Sequence, residues 1–350
     1  MVEFLNFSKL YIKTHDEYIN KYKNNNGKIK KHTTQIRYLA LNEFCRSHVY
    51  WSRFNLDSIQ MDINEQNNIN YKNIYKKDKI SGKYLNELHN FFIKHNFYNT
   101  LYTNTLIEYL NYTNFKTLKS ISIDSFFVRN ILGRDLRRNT HYNNKSGLKV
   151  HALVDSKGVV LSIYISEGVV NDSITINKLL NNLLIKKELL SPHIDEFLAD
   201  SAYSSINNIY DLTSYGFNVI MGRNKQHIKK TDNIDSATNT QIKGYKKRGI
   251  IENTFGHVQR YPILLNNYES DCKSYQGLLF FVLACSLSKR LNMEIKKDND
   301  IEFKKEQDRK TLIKIQESRE RKEYLYKVRK IKKENKEKMD KERKIKSLKI

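Results

Sequence analysis

The chain has 350 residues, 39 % of them apolar and 11 % aromatic, so it can bury a sizeable core and is not disordered throughout. Its formal net charge of +24 says more about partners than about fold. Such a surplus points first to nucleic acid, where each neutralised phosphate releases counterions, and second to an anionic membrane surface. Three scattered cysteines, Cys45, Cys272 and Cys285, form no CxxC pair. They argue against a disulfide framework or a zinc knuckle and suit a reducing compartment.

The N-terminus lacks a basic start followed by an apolar run, so no signal peptide is expected. The most apolar stretch, Gly277–Leu287, is too short for a bilayer and reads as a buried helix, so no membrane partner is expected. An intracellular protein follows, in the cytoplasm or nucleoid of a bacterium, or in the nucleus or a viral factory otherwise.

Residues 1–118 read as helical and basic. Met1–Lys31 is polar and ends in the flexible run NNNGKIKK. A helix is predicted around Thr34–Ser52, with Ile36, Leu39, Ala40, Phe44 and Val49 on one side. Two more cover Gly82–His95 and Asn99–Leu110, the first with Leu85, Leu88, Phe91 and Phe92 at helical spacing. These helices suit either a DNA-end-binding region or a bundle packed on the core.

Residues 119–293 change texture. Ser120–Phe126 alternates like a strand, and Leu148–Val154 and Val159–Ser166 are two more, joined by the turn Asp155-Ser156-Lys157-Gly158. Asn171-Asp172-Ser173 is a helix cap leading into one helix over ITINKLLNNLLIKKELL. A strand at Ile194–Leu198 runs up to Asp200. A helix at Ser205–Ser214 closes on Gly216, and Phe217–Met221 is a further strand. After a polar loop over Asn224–Gly244, Lys246–Gln259 reads as a helix. The order implies a mixed α/β segment in which a meander feeds parallel additions. Residues 294–350 are a basic, helix-prone tail, either a solvated or partly disordered helix or an electrostatic arm along DNA. Leu325, Val328 and Ile331 give only a hint of an apolar stripe.

Two-metal phosphoryl transfer needs carboxylates that converge on a pair of hard cations about 4 Å apart. Asp124 lies in an alternating strand, Asp200 follows the apolar EFLA, and Glu252 sits beside Ile251 and Phe255 on a later helix. Each alone has an ordinary reading: a solvent-facing strand residue, a helix cap and a solvated helix carboxylate. Together, at two strand ends and a helix in a very basic chain, they form a candidate site. Asp155 and Asp172 are explained by the turn and the cap, with Asp172 also a possible neighbour of the site. His141, His151 and His257 have no partner at metal-ligand spacing and read as structural or DNA-facing.

Four pieces of sequence then resemble the DDE transposases of bacterial insertion sequences, in particular the insertion sequence four/five superfamily. SIDSFFVRN resembles the strand of the first Asp. GLKVHALVDSKGVVLSIYISEGVVNDS is similar to the next two strands and the element after them. FLADSAYSS with GFNVIMGRN resembles the segment of the second Asp, and YKKRGIIENTFGHVQRYPILLNNYE the helix of the terminal Glu. The resemblance runs from about Lys119 to Leu291. It implies an RNase H-like mixed sheet flanked by helices, with Asp124, Asp200 and Glu252 as catalytic metal ligands for two Mg²⁺ or Mn²⁺ ions. It also implies cleavage at transposon ends and transfer of the 3′-hydroxyl to target DNA. The partners implied are double-stranded DNA, as terminal inverted repeats and target, and a second copy in a homodimer.

The family's Tyr, Arg, Glu and Lys pattern falls on Tyr245, Arg248, Glu252 and Gln259, with Gln in place of the phosphate-holding Lys. Arg260 is its adjacent substitute. Arg248, one turn before Glu252, has a planar fork suited to a phosphate or a site carboxylate. Lys145 and Lys149 are further phosphate candidates by charge. Alternatives that keep the fold are a domesticated or inactive DNA-binding derivative and an RNase H-like nuclease.

Overall fold

A computed structural model describes residues 7–21, 34–46, 81–130, 136–221, 247–267 and 272–347. It divides into two compact units, residues 6–290 and residues 1–5 with 291–350.

The larger unit begins with four helices: α1 (Phe7–Lys21), α2 (Thr34–Arg46), α3 (Gly82–Lys94) and α4 (Phe97–Thr113). The polar stretch that opens the chain therefore contains a helix that its composition hides. Among its described side chains the buried Tyr11, Thr14 and His15 and the half-buried Leu10 and Tyr18 recur at three and four, so the stripe is built mostly from Tyr, Thr and His. Ser81 caps α3 by accepting from the Tyr84 amide at 3.3 Å, and left-handed Asn96 turns the chain into α4. The predicted continuation of α2 past Arg46 lies outside the described residues.

These helices share an aromatic core with the start of α8 (Cys272–Ser347). Phe92 stacks on Phe97 at 4.1 Å, Tyr11 meets Phe97 edge-on, and Tyr102 stacks on Phe280 at 5.6 Å. His89 joins the layers, bonded to the Tyr98 hydroxyl at 2.8 Å and the Ser274 hydroxyl at 2.7 Å. The Tyr102 hydroxyl donates to the Val160 carbonyl at 2.7 Å and ties the helices to the sheet.

Seven strands form that sheet: β1 (Ser120–Asn130), β2 (Arg138–Asn139), β3 (Lys145–Val154), β4 (Val160–Glu167), β5 (Glu196–Ala199), β6 (Asn218–Met221) and β7 (Asn266–Asn267). β4, β3 and β1 are antiparallel neighbours, whereas β5 joins β1 and β6 joins β5 in parallel. In the β3–β4 turn, Asp155 Oδ1 accepts from the amides of Lys157 and Val159 at 2.9 and 2.8 Å, and Gly158 adopts φ +80°. That φ is one an L side chain avoids. An antiparallel meander extended by parallel strands, with helices on its faces, is the RNase H-like architecture.

The single long helix expected after Asp172 is instead broken. A 3₁₀ turn over Asp172–Thr175 leads into α5 (Ile176–Asn181), and one further turn covers Lys187–Leu190. The break occurs because the chain pairs with the sheet: Leu183 bridges to Ser162, and the Leu184 amide donates to the Leu161 carbonyl at 3.1 Å. Helical periodicity of the leucines therefore concealed a docking contact to β4. α6 (Ile206–Ser214) starts at its Ser205 cap and stops at Gly216, φ +85°, as the sequence predicts. α7 (Gly249–Val258) is shorter than predicted and packs on β1 through Phe255 against Phe126, ring centroids 4.6 Å apart.

The second unit is the rest of α8 from Leu291. The basic tail is helical as far as Ser347, with Phe303 and Leu312 each 66 % exposed. The side chains of Leu325, Val328 and Ile331 lie outside the described residues. Among the described residues no helix is long and apolar enough to cross a membrane.

Candidate active site

The parallel junction between β1 and β5 sets the geometry. Ile123 is in register with Ala199, so Asp124 and Asp200 occupy the next facing positions of adjacent strands. Inter-strand spacing puts their backbones about 5 Å apart. The chain stays extended through Asp200, φ −74° and ψ 164°, and its carboxylate accepts from the Ser201 amide at 2.6 Å. Asp124 accepts from the Ser125 amide at 2.8 Å. Burial raises the pKa of Asp124, the Asp200 charge raises it further, and the Ser125 amide and Arg248 pull it back.

Glu252 comes from the helix facing that junction. Asp124 and Phe126 share a parity on β1, and α7 covers that face through Phe255. Arg248, one turn before Glu252, bridges the two elements. Its Nη1 donates to Asp124 Oδ2 at 2.5 Å and its Nη2 to Glu252 Oε1 at 2.8 Å. The Arg248 and Asp124 side chains are mostly buried, at 13 and 20 % exposure, whereas Glu252 is 61 % exposed. The fork that suited a phosphate or a carboxylate thus holds two carboxylates.

A second polar cluster lies on the other face of β1. The Ser125 hydroxyl donates to Asp172 Oδ1 at 3.0 Å, and Lys149 Nζ reaches the same oxygen at 3.2 Å. His151 Nδ1 stands 3.4 Å from it, while His151 Nε2 is bonded to the Ser166 hydroxyl at 2.9 Å. Burial lowers the His151 pKa to about 4 against the pull of Asp172. Tyr203 is 1 % exposed, and burial with the charges of Asp172, Asp124 and Asp200 holds its hydroxyl well above the usual pKa.

Lys149, a phosphate candidate by charge, is turned inward. It is buried, its ammonium divided between Asp172 and the Val170 carbonyl at 3.1 Å, because an inward position on β3 gives it an acid to neutralise. Lys145, at the outer end of β3, is exposed, as are Gln259 and Arg260 just past α7. Tyr245 lies outside the described residues. Asn171 is the cap predicted before α5, accepting from the Ser173 amide at 3.0 Å, which leaves the Asp172 carboxylate for the cluster. Ser125 and Tyr203 are the neighbours that the sequence reading missed. Their only signal was adjacency to the two aspartates in the chain.

The RNase H-like sheet thus carries paired aspartates at its parallel junction, with a glutamate on the helix facing it. A family model described as the transposase DDE domain matches residues 118–288, so that segment of the chain is a transposase DDE domain. No curated protein matches the chain.

DDE transposases generally use divalent metal ions. Hard carboxylate oxygens suit Mg²⁺ or Mn²⁺. Among the described residues no group of three or more His, Cys, Asp or Glu stands close enough to hold an ion. Two carboxylates of the trio adjoin, and the third is held one guanidinium away from Asp124. The donor chemistry fits such an ion, with Arg248 as the side chain that must give way for all three to converge.

Proposed function

We propose that this transposase cleaves DNA at the ends of its element and transfers the resulting 3′-hydroxyl to target DNA, with Asp124, Asp200 and Glu252 as its acidic site. The observation that supports it most is the Asp124–Asp200 adjacency, with Arg248 joining Asp124 to Glu252 inside the matched domain.

The three carboxylates would hold two divalent ions, which supply charge neutralisation at the scissile phosphate and polarise the attacking oxygen. The chain's own residues do the rest. Asp124 and Asp200 are fixed by the Ser125 and Ser201 amides, so little reorganisation is needed when charge develops. Arg248 holds Glu252 toward β1 and offers its fork to a phosphate once the carboxylates have another counter-charge. Lys145 and Arg260 add surface charge for the backbone, and the N-terminal helices are the end-binding region. A homodimer on double-stranded DNA brings two inverted repeats together.

The test is a strand-transfer assay with the element's own inverted repeats, in Mg²⁺ or Mn²⁺, on the wild type and on Asp124→Asn, Asp200→Asn and Glu252→Gln. Cleavage and joining in the wild type should fall by at least roughly a hundredfold in each variant. Tight DNA binding without cleavage would show a binding derivative, the outcome that Gln259 favours. Cutting without joining would show a nuclease.

A further inference from the structure

A cleft of about 370 Å³ opens on the larger unit, lined by Arg46, His257, Arg260, Tyr261, Pro262 and Ser286. The lining comes from three places in the chain: the last residue of α2, the end of α7 with the turn after it, and the apolar part of α8. Two guanidiniums and an imidazole face one space, with two hydroxyls and no carboxylate. The cations around the acidic site do meet acids, as in Arg248 with Asp124, Lys149 with Asp172 and Lys247 with Glu196. Among the described residues, neither Arg46 nor Arg260 forms an ion pair with a carboxylate. Gathering like charges around a cleft costs self-repulsion, which an anion would offset.

We infer that this cleft binds a backbone phosphate of DNA, a role that rests on the proposed function. Guanidinium forks match the paired oxygens of a phosphodiester, and the Tyr261 and Ser286 hydroxyls supply neutral donors. The position also suits a DNA strand. Glu252 and the end of α7 at Val258 are separated by about 9 Å at 1.5 Å per residue. At about 3.4 Å rise per nucleotide, the phosphate held there lies some three nucleotides from the bond at Glu252. Arg46 would make the N-terminal helices part of the grip on the same strand as the catalytic helix.

The experiment measures binding of a duplex carrying the element's end by fluorescence anisotropy over a salt series. The proteins are wild type, Arg46→Gln, Arg260→Gln, the double variant and Lys94→Gln as an exposed control. Each arginine removed should weaken binding about tenfold at fixed salt and flatten the slope of log K against log salt by about 0.9, the double variant by about twice that. Lys94→Gln should change neither. Both arginines are solvent-facing, so melting temperatures should hold; if Arg46→Gln unfolds, Arg260→Gln and His257→Gln carry the test. Wild-type affinity and slope in the double variant, with wild-type binding intact, would overturn the cleft while leaving the proposed function standing. Inorganic phosphate that raises the wild-type melting temperature but not that of the double variant, with DNA binding equal in both, would assign a free anion and also overturn it. A wild type that fails to bind duplex DNA would overturn both readings.

Discussion

Replacing Arg248 by Gln tests the centre of the site directly. The guanidinium makes two charge-assisted bonds, to Asp124 at 2.5 Å and to Glu252 at 2.8 Å. The first joins side chains 13 and 20 % exposed and should contribute about 1.5–2 kcal/mol. The second ends on a carboxylate 61 % exposed and is discounted to a few tenths of a kcal/mol. The variant also leaves Asp124 and Asp200 facing each other with no cation between β1 and α7. A loss near 2 kcal/mol follows, or about 4–8 °C in melting temperature for a unit of this size. Thermal melts in EDTA give the number, and a cycle with Asp124→Asn separates the pair from the rest. Once Asp124 is an amide, losing Arg248 should cost less than half as much. Added Mg²⁺ should raise the melting temperature of Arg248→Gln more than that of the wild type, because the ion takes over the vacated counter-charge. An EDTA melt within a degree of wild type, or strictly additive losses in the cycle, would refute the account.

Other substitutions probe the supports of the site. Lys149→Met should destabilise by about 2–3 kcal/mol by stranding a mostly buried Asp172, whereas Lys145→Gln should leave the melt unchanged and only weaken DNA binding. Urea titrations of the two variants check this, and equal stability would return Lys149 to the surface. Gly158→Ala puts a side chain at φ +80° and drives its Cβ against Thr254 Oγ1, so a loss of at least about 2 kcal/mol is expected. Because the Thr254 hydroxyl donates to the Gly158 carbonyl at 3.0 Å, strand transfer should fall in the same variant as α7 shifts. Acid should weaken the fold through buried histidines. Burial depresses the folded pKa of His15 and His151 to about 4 and of His89 to about 3. The unfolded chain takes up protons below about 6.5 that the folded chain refuses, so stability present above that pH is lost as pH falls toward 4. Raised carboxylates such as Asp124 and Asp155 oppose this only in part. Denaturation midpoints flat from pH 7 to 4.5 would contradict it.

Much of the sheet was legible because it is written in local chemistry. β1, the β3–β4 hairpin with Gly158, α6 between Ser205 and Gly216, and the strand leading to Asp200 all follow from alternation, turn residues and caps. The trio itself needed the family resemblance, since each acid alone has an ordinary explanation. What the sequence hid was non-local. The leucines after Ile176 keep helical spacing through a point where tertiary pairing of Leu183 to Ser162 breaks the helix. The polar appearance of Phe7–Lys21 concealed a buried face of Tyr11 and His15, packed in an aromatic core where His15 bonds to Arg37. Lys149 read as a surface cation because its counter-charge, Asp172, is more than twenty positions away and had been credited to a cap. Arg248 was the opposite case: one helical turn fixed its relation to Glu252, and only the strand partner had to be supplied by folding.

The way Ile123 sits beside Ala199 also predicts where this protein tolerates changes in length. β5 is four residues long and meets β1 and β6 along its whole extent, so adding one residue before Asp200 within it would turn that carboxylate to the opposite face. The same addition between Leu190 and Ile194 would be absorbed by the connecting turn before the strand begins. Libraries of single-residue insertions should therefore show a sharp boundary at Glu196, with mobile elements surviving upstream of it and none from there to Asp200.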